Sequence, residues 1–299
     1  MHSYHIAPAF FDSRVKHEND TCHIRALDPN IYLSVIITAM KKNDLYDELF
    51  KRFGAITRAR NCFLYTKKGI RLTDMFQENG RAILGWDAGN AFTFLKNTLN
   101  RGQVGGFICE DKGRHYRLEK AVSELLQSER KVFVFSSKGD AVTAALSFSE
   151  STGMWRPWIS EEVDWATTDC IVIQPPLPWT DSIYILAVRT DKAAKNTIGL
   201  PFAVEVAVTR SIYNLIAELK VREEKNWFLY DPVLTKYWTR KGPYLYPKIS
   251  QEEYDAFVLH CLECEIIINP DYNQPSIVPF GADRGVFTKL KNNPFIPKI

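Results

Sequence analysis

Apolar residues recur at helical spacing from Ile31 to Phe53, behind Asp28-Pro29-Asn30, where Asn30 can cap the first turn. That run stops at Gly54. Two short strand-like runs follow, Cys62–Tyr65 and Ile70–Thr73, and Lys67-Lys68-Gly69 between them predicts a tight hairpin turn. Helical spacing returns over Ala91–Leu99 and Leu118–Leu126, with loops marked by Gly102–Gly106 and Lys112-Gly113. Lys131–Phe135 is a short apolar run of the kind found in a sheet covered on both faces, and it leads through Ser136–Gly139 into an Ala-rich helix, Asp140–Ser149. Cys170–Ile173 and Ile183–Val188 are two more buried-strand candidates. Pro201–Val221 predicts a long helix with Pro in its first turn, where a missing N–H costs nothing. After a loop rich in Tyr and Trp come a helix over Ser250–Cys264, a strand over Glu265–Ile268 and a Pro-rich tail. Strands followed by helices, then a shorter mixed segment, predict an α/β large domain with a small C-terminal α+β domain.

Length and charge narrow the function. The chain has 299 residues, which at about 150 residues per domain is one large domain or two modest ones. We divide it into an N-terminal segment and helix (1–60), a large α/β domain (61–221) and a small α+β domain (222–299). Apolar residues make up 45% and charged residues 24%, a globular composition able to bury a core without disulfides. With 38 Lys+Arg against 35 Asp+Glu, the charge is too even to suggest nucleic acid or a membrane surface as partner. No apolar run approaches the roughly 18 residues of a membrane span. Met1–Asp12 lacks the basic and apolar regions of a signal peptide, so reduced cysteines and a cytoplasmic location are expected.

Ser136-Ser137-Lys138-Gly139 concentrates the candidate chemistry. A strand end, a small polar loop and a helix N-terminus aim free N–H groups and a positive dipole at one point, which suits phosphate or another anion. The Ser hydroxyls and Lys138 would add donors. The plainer reading is a capped turn, with Ser136 or Ser137 as cap and Asp140 in the first turn.

The surrounding order of motifs resembles the pyridoxal-phosphate aminotransferases of fold type I, especially class III. Arg58–Asp74, Gly80 and Leu84-Gly85-Trp86 resemble that family's N-terminal hairpin and its "L-G-H" element. Ala121–Leu126, Phe133–Phe135 and Ser136–Ala141 fall in the order of its helix, strand and "N-S-G-T-E-A" loop, whose backbone and hydroxyl hold the cofactor phosphate. Gly199–Val208, Arg240–Leu245 and Cys264–Pro270 resemble later elements. The resemblance implies a homodimer with sites at the subunit interface, a phosphate-bearing small molecule as ligand, and a Schiff-base lysine.

Departures from the pattern are as informative. Only a short run separates Ser151-Thr152-Gly153 from the Cys170 strand, where the family has a long stretch of sheet, so the large domain is expected to be shortened. If Thr168–Pro175 matches the lysine strand, Pro175 holds the lysine position and no imine can form. If Asp191–Ala194 matches instead, Lys192 is the catalytic candidate. We favour the first register, since the second leaves no room for the strand before the Pro201 helix. Lys138 and Gly139 replace the loop glycine and threonine. Ser276–Pro279 stands where a carboxylate-binding Arg is expected.

Three functions therefore follow: a non-catalytic aminotransferase-like binding, regulatory or assembly subunit, which we favour; a transaminase acting through Lys192; or a phosphate or nucleotide binder using Ser136–Gly139. No cofactor is expected from the residues themselves, and pyridoxal phosphate is the group the resemblance admits. No metal site is expected: Cys261 and Cys264 have a ligand-like spacing but no second pair, and His260 is their only near histidine. Trp155, Trp158 and Trp165 are expected to fold over the shortened sheet or to form a subunit contact.

Overall fold

The computed structural model describes residues 44–104, 113, 115–159, 164–179, 183–189 and 194–297. Helix α1 occupies described residues 44–53; the helix start expected at Asn30 lies outside them. The chain continues through strands β1 (Ile56–Arg60), β2 (Phe63–Thr66) and β3 (Arg71–Asp74), helices α2 (Ala91–Asn100) and α3 (Tyr116–Leu126), and β4 (Lys131–Phe135). Helix α4 (Lys138–Phe148), β5 (Thr152–Trp155), β6 (Cys170–Ile173), β7 (Tyr184–Val188) and α5 (Phe202–Leu219) complete the central part. A hairpin of β8 (Trp238–Lys241) and β9 (Tyr244–Pro247), helix α6 (Tyr254–Glu263) and the short strands β10 (Ile266–Ile267) and β11 (Ser276–Ile277) follow.

The central sheet has the order β4-β7-β6-β5. β7 runs antiparallel to both neighbours, while β5 and β6 are parallel. Every residue of β6 is buried, and all of β7 but Tyr184, because both faces are covered. Phe135, Val172, Leu186 and Val188 meet Ala141 and Ala145 of α4 on one face. On the other, Val134, Ile173, Ile185 and Ala187 pack with Ala91, Leu118, Val122 and Val208 from α2, α3 and α5. Alternate residues of each strand thus serve opposite layers.

The N-terminal hairpin forms as its turn chemistry predicts. Gly69 has φ +80°, and its N–H bonds to the Thr66 carbonyl at 3.0 Å. Its sheet, however, is completed by β10, which lies parallel to β3 with Ile266 opposite Thr73. Leu45, Leu72 and Met75 share one core with Trp238, Phe257, Ile266 and Leu290. A division between residues 60 and 61 would cut β1 from β2, so the hairpin goes with the C-terminal core.

The segment read as a loop rich in Tyr and Trp contains the β8–β9 hairpin, to which β11 of the tail adds a third strand in the order β11-β9-β8. Its β8–β9 turn carries a close approach: a Cβ on Gly242 (φ +52°) would lie 2.5 Å from the Trp158 carbonyl oxygen. Glycine is required there on both counts. That contact seats Trp158 against Trp227, ring centroids 5.5 Å apart, and joins the segment after β5 to the C-terminal core.

Candidate functional site

Strand polarity gathers several segments at one edge of the central sheet. Phe135 pairs with Tyr184, Ile173 with Ile185, and Trp155 with Ile173. The ends of β4, β5 and β6 and the start of β7 therefore lie together, and Ser136–Gly139, Arg156–Trp158, Gln174-Pro175 and Ile183 leave from them. In open α/β sheets this carboxyl edge is where ligands bind.

At the first segment, Ser137 is the N-cap of α4. Its hydroxyl oxygen accepts the Asp140 N–H at 3.0 Å and donates to Asp140 Oδ2 at 2.6 Å. The hydroxyl and a first-turn carboxylate are thus engaged with each other, the arrangement of the plainer capped-turn reading. Ser136, Lys138 and Gly139 are exposed around this cap. After β6 stand half-buried Gln174 and buried Pro175. Lys192 lies outside the described residues. Arg189, where β7 leaves the sheet, is at the opposite edge, beside the starts of β4 and β6.

Residues to which the sequence assigns no site role build the rest of the edge. Asp74, 1% exposed at the end of β3, accepts the N–H groups of Phe76 and Gln77 through Oδ1, each at 2.9 Å, and Trp86 Nε1–H through Oδ2 at 2.7 Å. Burial pushes its carboxyl up to about 6, against the lowering effect of those hydrogen bonds. The backbone it holds is unusual: Gln77, Glu78 and Asn79 have φ of 47°, 48° and 58°, and Gly80 follows at 90°. Successive left-handed non-glycine residues cost of order 1–3 kcal/mol each and persist only where surroundings impose them. Here the Asn79 carbonyl accepts Gln174 Nε2–H and its Oδ1 accepts Asn269 Nδ2–H, each at 2.9 Å. This turn delivers Arg81, 7% exposed, to the edge, where Nη1 donates to the Ile183 carbonyl at 3.1 Å. Beyond β5, Arg156 Nη1 donates to the Tyr246 hydroxyl at 2.8 Å. Arg81 follows Gly80 inside the N-terminal motif, but isolated charged residues carry no periodic signal that marks them as buried.

The aromatic segment folds back. Trp155 and Trp165 pack on the α2–α3–α5 side of the sheet, and a Cβ on Gly153 would lie 2.7 Å from the Trp165 ring. The cysteine pair is core. Cys261 is fully buried, which raises its thiol well above the ordinary value, and Cys264 Sγ lies 4.0 Å from His260 Nε2. Among the described residues no group of three or more His, Cys, Asp or Glu could hold a metal, and no helix is long and apolar enough to cross a membrane.

The architecture has known counterparts. It superposes on ornithine aminotransferase of Toxoplasma gondii with a TM-score of 0.61 at 10% identity, covering 90% of this chain and 97% of that one. The Plasmodium yoelii ornithine aminotransferase gives 0.57 at 12% identity over 84% and 96% of the two chains. Serine palmitoyltransferase of S. paucimobilis gives 0.58 at 12% over 89% and 97%. The fold is that of the pyridoxal-phosphate-dependent aminotransferases of fold type I. At such identities the likeness shows fold alone. In sequence the chain is 24% identical to an uncharacterised protein of Treponema pallidum, over 78% of this chain and 91% of that one. A second uncharacterised relative, from Borreliella burgdorferi, is also 24% identical, over 83% and 93%. No family model matches.

Proposed function

We propose that this chain is a non-catalytic member of the aminotransferase architecture, a ligand-binding or assembly subunit that forms no lysine imine. The observation carrying this reading is the end of β6, where Gln174-Pro175 follows the strand whose family counterpart leads into the Schiff-base lysine. Proline has no amine to condense with an aldehyde. Arg156, Gln174 and Ile183, which flank the edge, have none either. The one lysine in these segments, Lys138, opens α4 and is exposed.

The residues at this edge do not fit a lysine-bound pyridoxal phosphate. Pro175 follows β6 where the lysine would stand, and Lys138 places a long side chain where the family's loop has the glycine that lets the phosphate approach the backbone. No chemical step is therefore derived through the cofactor. The decisive experiment incubates the full chain with pyridoxal phosphate, reduces with borohydride and maps adducts by mass spectrometry. No pyridoxyl-lysine is expected; an adduct at Lys192 would replace this reading with a transaminase working through that residue. The homodimer implied by the family resemblance belongs to the same proposal. Light scattering at micromolar concentration checks it, and a monomer there would remove the assembly role.

A further inference from the structure

Over the whole chain the charges nearly balance, but the N-terminal hairpin departs from that balance. Between Glu48 and Asp74 the sequence has seven Lys and Arg residues and no carboxylate. Lys51 and Arg52 are answered by Glu48 of α1, at 3.1 and 2.9 Å. The other five, Arg58, Arg60, Lys67, Lys68 and Arg71, are exposed, and none forms an ion pair with a carboxylate among the described residues. Asp74 is buried and spends its carboxylate on Phe76, Gln77 and Trp86. Glu265, just ahead of the neighbouring β10, is held by Lys289 Nζ at 2.5 Å.

Strand register puts three of the five on one face. Arg58 is opposite Tyr65, Tyr65 is opposite Arg71, and Arg60 is opposite Phe63. By the two-residue pleat, Arg58, Arg60, Phe63, Tyr65 and Arg71 therefore share one side of the sheet, about 10 Å across its three strands. Ala59, Leu64 and Leu72, which alternate with them, turn to the core. The Arg58 guanidinium lies 4.4 Å from the centre of the Tyr65 ring, and that of Arg71 4.6 Å from the centre of the Phe63 ring. Lys67 and Lys68 stand at the turn of the same hairpin. Charges on an edge strand guard it against pairing with another chain, and β1 is such an edge. That accounts for Arg58 and Arg60. It does not account for Arg71 on the interior strand β3, or for two rings set among the arginines.

We propose that this face of the hairpin sheet binds single-stranded nucleic acid, with the five cations along the phosphates and Phe63 and Tyr65 as stacking positions for bases. Unstacked bases lie against aromatic rings and guanidinium planes alike, so each arginine–ring pair offers a platform and phosphate donors together. Bases held inside a duplex cannot reach such rings. A membrane surface would call for apolar side chains projecting past the cations, and here both rings are half-buried beneath them. The near-even charge of the whole chain, which speaks against nucleic acid as a partner, averages this patch away. No residue of the carboxyl edge takes part, so the outcome of the borohydride experiment leaves this face untouched.

The test is fluorescence anisotropy of short labelled oligouridylate and oligothymidylate with the full chain, beside a duplex of equal length. At least one single strand should bind with a Kd below about 10 μM at low salt, and the duplex at least tenfold more weakly. A preference between the two strands assigns RNA or DNA. The logarithm of affinity should fall against that of salt with a slope of about −3, roughly 0.7 for each of four or five phosphates. Arg58→Gln combined with Arg71→Gln should lower affinity at least tenfold and flatten the slope by about 1.4. Tyr65→Leu should lower affinity at least fivefold at an unchanged slope, since it removes stacking and no charge. Lys96→Gln, exposed on α2, should change neither. No binding of either single strand, equal binding of the duplex, or wild-type affinity in the arginine pair variant overturns the proposal. So does a protein that sediments with phosphatidylserine vesicles and ignores both oligonucleotides, which would make the patch a membrane contact.

Discussion

Replacing Arg130 with methionine is expected to destabilise the protein by about 3–5 kcal/mol, because it strands several buried carbonyl acceptors at about 1–3 kcal/mol each. Arg130 is 3% exposed. Its Nη1 reaches the carbonyls of Thr168 and Asp169 at 2.7 and 2.9 Å, and its Nη2 that of Trp165 at 2.9 Å. These carbonyls belong to the turn that feeds β6. The same turn holds Trp165 over Gly153 of β5, the strand at the end of the central sheet. Methionine fills a similar volume but leaves several acceptors without donors. Arg130→Lys should recover less than half the loss, because one ammonium cannot serve carbonyls spread along five residues. Urea unfolding followed by tryptophan fluorescence measures both variants, and a methionine variant within 1 kcal/mol of wild type would show that water replaces the guanidinium at little cost.

Periodicity found the elements whose burial is regular. β6 and β7 are unbroken apolar runs because layers cover both faces, and α5 shows its Pro-led start and a repeating buried stripe. The β8–β9 hairpin was not legible. Its strands, Trp238–Lys241 and Tyr244–Pro247, are short and mix aromatics with charges, since one side meets the core while Arg240 turns to Asp231 and Glu224. β5 was hidden for another reason. Thr152 and Trp155 favour strands, but the run is only four residues long and Gly153 interrupts it, so tertiary packing under Trp165 holds it in place. The pairing of β3 with β10 joins residues nearly 200 positions apart, a distance at which no local pattern operates.

The candidate site divides the same way. Ser137 was visible because a cap is a local motif, and the structure uses it as one. Arg81 and Arg156 were not, because the groups they meet, the Ile183 carbonyl and the Tyr246 hydroxyl, are distant in sequence. A sequence shows which charges exist but not which groups they meet after folding. Pro175 lies between, since its place after a buried strand is local while its meaning depends on the fold around it.

Asp74 ties the N-terminal sheet to this edge, and its loss is the other large effect expected. Alanine there strands three donors, the N–H groups of Phe76 and Gln77 and the indole N–H of Trp86, for a cost of about 3–5 kcal/mol. It also releases the left-handed turn Gln77–Gly80, so Arg81 should lose its placement beside Ile183. Asparagine is the sharper probe. It keeps one acceptor oxygen for the two backbone donors but sets an NH2 group against the Trp86 N–H, so it should cost less than alanine and more than a surface change. The carboxyl also makes a pH signature. Burial raises it from 3.8 to about 6 in the folded chain, so the native state holds this proton more tightly than the unfolded one. Its stabilising contribution is complete below pH 3.8 and lost as pH rises through about 6, a swing of about 3 kcal/mol. The wild type should therefore lose stability relative to Asp74→Asn between pH 5 and pH 7, the difference cancelling the histidines common to both. Parallel curves for the two proteins across that window would mean that the three N–H donors outweigh burial and keep Asp74 ionised throughout.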